Sequence, residues 1–240
     1  MANTLFLRLE GVLQAWGERG RWSVRDTAPE PTKSGVIGLV ACAMGYKTDA
    51  QIRPLAEKTR IGVRCDVPGQ IITDYHTADL GQPFLQKGWT TRGVAESRGG
   101  GSAATGTHIR YRQYHADASY TVALTLDPVA EYPDLSAVEE ALRQPERPLF
   151  VGRKTCLPSV PILGGRIAAS TLRDALATAP ASRWSPGGDR VAEAWWPAAE
   201  GGEGMEQTVS DHRDWYNQIH TGKRFICHGH VNVRGGDHDD

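Results

Sequence analysis

The chain has 240 residues, enough for one large domain or two small ones with a real core, and its net charge of −1 does not mark it as a general nucleic-acid binder. Apolar content is ordinary and no run is long enough to span a membrane. The start, MANTLFLRLEG, lacks the basic region and apolar core of a signal peptide, which points to a cytoplasmic protein.

Taken in order, Thr4–Leu9 alternates Leu5, Leu7 and Leu9 with Phe6 and Arg8, the pattern of a strand with one buried face. Gly11–Gly17 (GVLQAWG) reads as a glycine-bounded turn carrying Gln14 and Trp16, and Arg19–Pro31 as a polar loop. Pro31–Tyr46 (PTKSGVIGLVACAMGY) predicts a helix capped by Ser34 and covered on most sides, with Gly35 and Gly38 letting another backbone come close. Its N-terminus, with Lys33 beside it, offers a phosphate seat; the alternative is a well-capped core helix with a solvated lysine. Thr48–Lys58 predicts a short helix interrupted or restarted near Pro54, and Arg60–Val67 a strand. Pro68–Gly69 predicts a tight turn, with Gln70–His76 returning as hairpin partner.

Regular pattern then disappears over Leu80–Arg110, which includes GGGSAATGTH; a loop of that length is functional or disordered as a rule. Ser119–Asp127 is a clear strand and Leu135–Arg143 an amphipathic helix. Pro148–Pro161 is punctuated by Gly and Pro and carries Arg153–Lys154. Ser170–Thr178 is a short helix, the acidic span Asp189–Glu206 a loop beside an apolar edge at Ala194–Pro197, and Arg224–Val233 a last strand before a solvated tail. This order fits an α+β fold, a ferredoxin-like (RRM-like) sandwich with helices on one face of an antiparallel sheet, followed by small sheet elements.

Charge is unevenly distributed. Residues 1–127 hold 15 Lys+Arg against 12 Asp+Glu, and residues 128–240 hold 12 against 16. Within Lys87–His115, Lys87, Arg92, Arg98, Arg110 and Arg112 face one acid, Glu96, and His108 and His115 are added. A local basic segment in a neutral protein is the footprint expected for an anionic partner. Arg110, Tyr111, Arg112 and Tyr114 interleave guanidinium and aromatic groups, as RNA-binding loops do, although a solvated loop end would look the same.

No nucleophile elbow, P-loop or paired-carboxylate spacing is present. The four cysteines, Cys42, Cys65, Cys156 and Cys227, form no CxxC pair and suit reduced thiols. His228 and His230 alternate with Cys227 and give two histidines on one side without a third ligand, so no metal site and no cofactor is expected. His76, His108 and His115 are the residues available for acid–base RNA cleavage.

Six motifs in order, GVLQAWG (Gly11–Gly17), PTKSGVIGLVACAMGY (Pro31–Tyr46), VRCD (Val63–Asp66), RQYHADASYTVAL (Arg112–Leu124), VGRKTC (Val151–Cys156) and RDWY (Arg213–Tyr216), resemble the CasD family, the RAMP-type subunit of the type I-E CRISPR Cascade complex. The resemblance implies a ferredoxin-like RAMP domain over 1–147 with a thumb at about 80–110, a smaller β-rich region over 148–234, and a disordered tail at 235–240. It implies a non-catalytic subunit that grips the 5′ handle of crRNA, caps the CasC backbone, docks the large CasA subunit, and meets target DNA only through the assembled complex, with no membrane. RNA contacts are carried to Gln14, Trp16, Lys33, Ser34, Arg112, Tyr114, Arg153 and Lys154, and the basic window adds Arg98, His108 and Arg110. Related subunits of another subtype cut repeat RNA with a tyrosine and a Lys-His pair. Tyr46 could stand in for the tyrosine, but no Lys-His dipeptide occurs here. The alternative function is a metal-independent repeat-RNA endoribonuclease.

Overall fold

A computed structural model describes residues 2–17, 24–79, 107–128, 131–217 and 219–234. It is a mixed α/β structure: one large, mostly antiparallel sheet and, among the described residues, four α-helices. The strands are β1 (Ala2–Gln14), β2 (Val24–Arg25), β3 (Thr59–Val67), β4 (Gln70–Asp79), β5 (Thr107–Leu126), β6 (Leu163–Ala169), β7 (Arg190–Pro197), β8 (Gly204–Asp214) and β9 (Ile219–Val233). The helices are α1 (Lys33–Ala43), α2 (Asp49–Lys58), α3 (Leu135–Arg143) and α4 (Leu172–Thr178). The sheet runs β6-β1-β5-β3-β7-β9-β8, with β2 and β4 also paired to β5.

Both faces of the sheet are covered. Leu5, Leu7 and Leu9 of β1 pack with Val36, Leu39 and Val40 of α1 and Val138 and Leu142 of α3. On the opposite face Leu172, Ala175 and Leu176 of α4 pack with Ala123, Ala194 and Trp196. Helices therefore lie on two faces rather than the one expected, and β1 is covered on both of its sides: Phe6 and Glu10 are buried along with the leucines. An alternating pattern signals one buried face only when the other side meets water, and here α4 and a polar cluster fill it.

Strand β5 organises the rest. Its C-terminal half pairs with β1 and β3, and its N-terminal half continues outward as a ribbon with β4. The hairpin expected at Pro68–Gly69 does not form. β3 and β4 instead run end to end along one edge of β5, with Val67 opposite Ser119 and Gln70 opposite Ala116. β4 could not fold back onto β3, because β5 and β7 occupy both edges of that strand. Gly69 makes the jog: its φ is +64°, and a Cβ there would meet the Ala116 carbonyl oxygen at 2.2 Å. Residues 107–110, expected within a patternless loop, are strand; 80–106, with Lys87, Arg92, Arg98 and the glycine run, lie outside the described residues, as do 18–23 and the tail 235–240.

Two further expectations change. The N-cap of α1 is Thr32, whose Oγ1 accepts the Gly35 amide at 3.2 Å, and Ser34 sits inside the first turn. α2 runs unbroken through Pro54, which is exposed. The acidic span Asp189–Glu206 is largely strand: β7 buries Ala192, Ala194, Trp195 and Trp196, while its acid Glu193 is exposed and Arg190 donates to Asp66. β8 and β9 continue past the sheet as a second ribbon that folds back over the start of α1.

Candidate nucleic-acid interface

α1 is docked to the β8–β9 ribbon through Asp211. That carboxylate is buried, accepts the Lys33 backbone N–H at 2.9 Å, and takes two hydrogen bonds from Arg224 at 3.1 and 2.6 Å. The phosphate seat expected at the N-terminus of α1 is thus filled by the protein's own anion. Burial pushes the Asp211 carboxyl up, but Arg224 and the Lys33 amide outweigh it and hold it below the usual carboxylate range. A carboxyl lower in the folded than in the unfolded state contributes stability above the unfolded value of about 3.9 and loses it as pH falls further. The stability gap between the wild type and Asp211→Asn, read by denaturant unfolding, is expected to be full at pH 7 and to close below about pH 4.

Beside this clasp lies a groove of about 740 Å³. Its floor is the half-buried strip of α1, Ser34, Gly35 and Gly38, with Trp16 beneath. One wall is the Phe150–Lys154 turn. The other is the end of the β8–β9 ribbon, with Arg213, Trp215 and His220, and Arg25 and Asp26 close one end. The turn is held by backbone bonds from Ala15 N to Val151 O and from Cys156 N to Arg153 O. Gly152, at φ +98°, lies so close to Ala15 that a Cβ would come within 1.9 Å of its carbonyl oxygen. That packing projects Arg153 and Lys154 along the groove. Arg153 lies over the Tyr114 ring at 4.6 Å and donates to the carbonyls of Gln113 (2.9 Å) and Arg25 (3.0 Å). Lys154 is exposed.

Four cations therefore line the groove, Arg25, Arg153, Lys154 and Arg213, against one acid, Asp26. Burial lowers the Arg213 guanidinium, which still stays charged near neutrality; it lies 5.4 Å from the Trp215 ring. Cations spaced along a channel attract a phosphate chain, and accessible rings such as Phe150 and Trp215 offer surfaces for bases. Among the described residues no three His, Cys, Asp or Glu side chains converge on a metal position. His228 stacks on Trp195 at 5.0 Å and bonds Glu193 at 2.7 Å.

The family model for CRISPR-associated protein (Cas_Cas5) matches residues 4–227. The chain is 34% identical over 186 residues to CRISPR system Cascade subunit CasD of Escherichia coli (strain K12), covering 73% of this chain and 76% of that one. This chain belongs to the CasD family. Its fold also matches a chain of a CRISPR RNA-guided surveillance complex, with a TM-score of 0.70 at 25% identity over 98% of this chain and 95% of the other. A second match is a Cas protein crystal structure, with a TM-score of 0.66 at 28% identity over 97% and 98% of the two chains.

Not every residue singled out in the sequence reaches the groove of this CasD-family chain. Ser34, Arg153 and Lys154 line it. Gln14 is fully buried: its amide donates to the carbonyls of Leu9 (2.9 Å) and Ala118 (2.7 Å), and its carbonyl accepts Trp16 Nε1. Trp16 and Tyr114 are buried as well, Trp16 beneath the groove floor and Tyr114 as the platform under Arg153. Arg110 and Arg112 lie on the β4–β5 ribbon opposite His76 and Asp74, and Arg112 also pairs with Arg25 at the groove's end. Lys33 turns to a second cavity. His108 lies in β5 opposite Ala78, and Arg98 is outside the described residues.

Reasoning from sequence missed Arg25, Phe150, Arg213 and Trp215. The Arg213–Tyr216 motif was visible, but its place beside α1 depends on a ribbon whose first strand carries no strong alternation.

The two glycines of the floor should respond oppositely to alanine. A Cβ at Gly35 would sit 2.9 Å from the buried Trp16 ring; at Gly38 it would sit 3.6 Å from Trp215, an ordinary contact. Gly38→Ala is expected to raise stability by up to about 1 kcal/mol through helix propensity, and Gly35→Ala to lower it by about 1–2 kcal/mol through overpacking. Thermal unfolding of the two variants checks both signs.

Proposed function

We propose that this chain is the subunit of a Cascade-type CRISPR surveillance complex that holds the 5′ handle of crRNA, caps the CasC backbone filament and docks CasA, without cutting the RNA. The observation that carries this reading is the groove: Arg25, Arg153, Lys154 and Arg213 with Trp215 and Phe150, opening at the base of the β4–β5 ribbon. The names of the CasD relative and of the surveillance complex point the same way. In this reading target DNA is met only through the assembled complex and the site of action is cytoplasmic. No helix among the described residues is long and apolar enough to cross a membrane.

The order β1-α1-β3-β5-α3-β6 with sheet order β6-β1-β5-β3 supports a ferredoxin-like, RAMP-type core. The thumb at about 80–110 would take in the outer end of the β4–β5 ribbon, where residues 107–110 are strand. The β-rich C-terminal region shares the core's sheet, since β7 pairs with β3.

The non-cutting part of the proposal draws support from the histidines. His115 is buried against the Ala28 carbonyl at 2.7 Å, while His76 pairs with Arg110 on the opposite face of the ribbon. General acid–base cleavage requires two groups at one phosphate. Tyr46 is pushed up to about 12 by burial, with Tyr132 adding to it, and stays neutral at pH 7. Purified protein mixed in excess with repeat RNA, without metal, is expected to bind it and leave it at full length on a denaturing gel. A discrete product would replace the gripping role with an endoribonuclease, and absence of binding would remove the groove from the RNA path.

A further inference from the structure

Across α1 from the groove, a second cavity of about 280 Å³ opens between Lys33, the start of β3, the end of β7 and the β8–β9 ribbon. Lys33, Arg60, Lys223 and Arg224 line it, with His212, and Asp211 is the one carboxylate among the lining residues. Asp211 is already engaged by Arg224 and by the Lys33 amide. Arg60 donates to the Glu57 carbonyl at 2.6 Å and lies 3.8 Å from Asp127, an exposed residue at the rim. Among the described residues neither Lys33 nor Lys223 has a carboxylate within ion-pair distance of its ammonium. Four cations thus surround a small cavity in which one acid is present and already bonded. Lys33 is held down to about 8 by burial, with Arg224 and Arg60 adding to the effect and Asp211 opposing it. Burial disfavours charge of either sign, but the Arg224 and Arg60 contributions report a positive local potential, and it is that clustering of cations that favours an anion.

We propose that this cavity is a phosphate-group site, distinct from the groove. A phosphate group brings more acceptor oxygens and more charge than a carboxylate, and it matches donors arriving from α1, β3 and β9. The volume suits one phosphate group rather than a length of chain, supplied either as inorganic phosphate or as a single phosphodiester of a bound strand. The site does not depend on the groove's role, and its test is read separately from RNA retention.

The test is the rate at which an amine-acylating reagent modifies Lys33 in the intact protein at pH 7, followed by mass spectrometry, with Lys47, exposed and outside both the groove and this cavity, as internal reference. Inorganic phosphate should slow Lys33 labelling relative to Lys47 by ~tenfold, because an anion that raises the amine's proton affinity by one unit cuts the free amine by that factor. Sodium acetate and sodium chloride at matched ionic strength should not. Arg60→Gln combined with Lys223→Gln, both at exposed positions, should abolish the protection while leaving the melting temperature unchanged. Protection by a short oligonucleotide but not by inorganic phosphate supports the site with the diester as its source. Equal protection by acetate, which would make it a carboxylate site for an acidic protein segment, overturns the proposal. So does protection by neither phosphate nor oligonucleotide, or protection that survives the double substitution.

Discussion

Asp66→Ala is expected to destabilise the fold by about 3–5 kcal/mol, the range for breaking a buried ion pair from one side. Asp66 is 2% exposed and collects three guanidiniums: Arg64 at 2.7 Å, Arg190 at 2.8 Å and Arg8 at 3.0 Å, with the Thr121 hydroxyl at 2.5 Å. Arg64 is itself fully buried and caps the end of α4 through the carbonyls of Leu176, Ala179 (2.8 Å) and Pro180 (3.0 Å). Burial lowers the Arg64 guanidinium and Asp66 opposes that shift, so removing the carboxylate leaves charge without compensation beneath α4. Glu10, 3.8 Å from Arg8, is too far from Arg64 and Arg190 to take over by these contacts. Against a typical total of about 5–15 kcal/mol, this is a loss of roughly a fifth at the least and of most of the stability at the lower end. Urea unfolding measures it. A loss below 1 kcal/mol would mean that the cluster is wetter and looser than its geometry indicates. RNA retention by the variant, assayed well below its melting temperature, should be unchanged, because the cluster lies under α4 and not in the groove.

Arg25→Ala combined with Lys154→Ala is expected to weaken binding of a handle RNA by roughly ten- to a hundredfold near 0.1 M salt. It should also flatten the dependence of log affinity on log salt by about 1.4, since single strands release about 0.7 counterion per neutralised phosphate. Both side chains are exposed at the groove and neither makes a contact the fold requires, whereas Arg153 binds two backbone carbonyls and would confound the result. Arg143→Ala, which breaks an exposed pair with Glu139 on α3, should change neither quantity. Fluorescence anisotropy at several salt concentrations gives both numbers. An unaltered salt slope would show that the strand takes another path over the molecule.

What could be read from the chain alone were the segments whose neighbours in sequence settle their state. α3 spans the residues expected from its 3.6-residue spacing, and β3 begins within one residue of its expected start. The motifs at α1, at Val151–Cys156 and at Arg213–Tyr216 were enough to suggest the family, and three of the predicted contacts, Ser34, Arg153 and Lys154, lie together along the groove. The tertiary structure decided everything that depends on a distant partner. Pro68–Gly69 has the local chemistry of a turn, yet β7 already holds the free edge of β3, so the chain runs straight on along β5. β7 looks like an acidic loop until Arg190 is paired with Asp66, when Ala192, Ala194 and Trp196 fall on one covered face and Trp195 on the other. Trp16 and Tyr114 resemble base-stacking residues in a list of letters, but α1 and Arg153 cover them, while Trp215 reaches the groove because the β8–β9 ribbon folds back over the helix. Local sequence sets backbone preference within a few residues, and exposure is settled by contacts a hundred residues or more away.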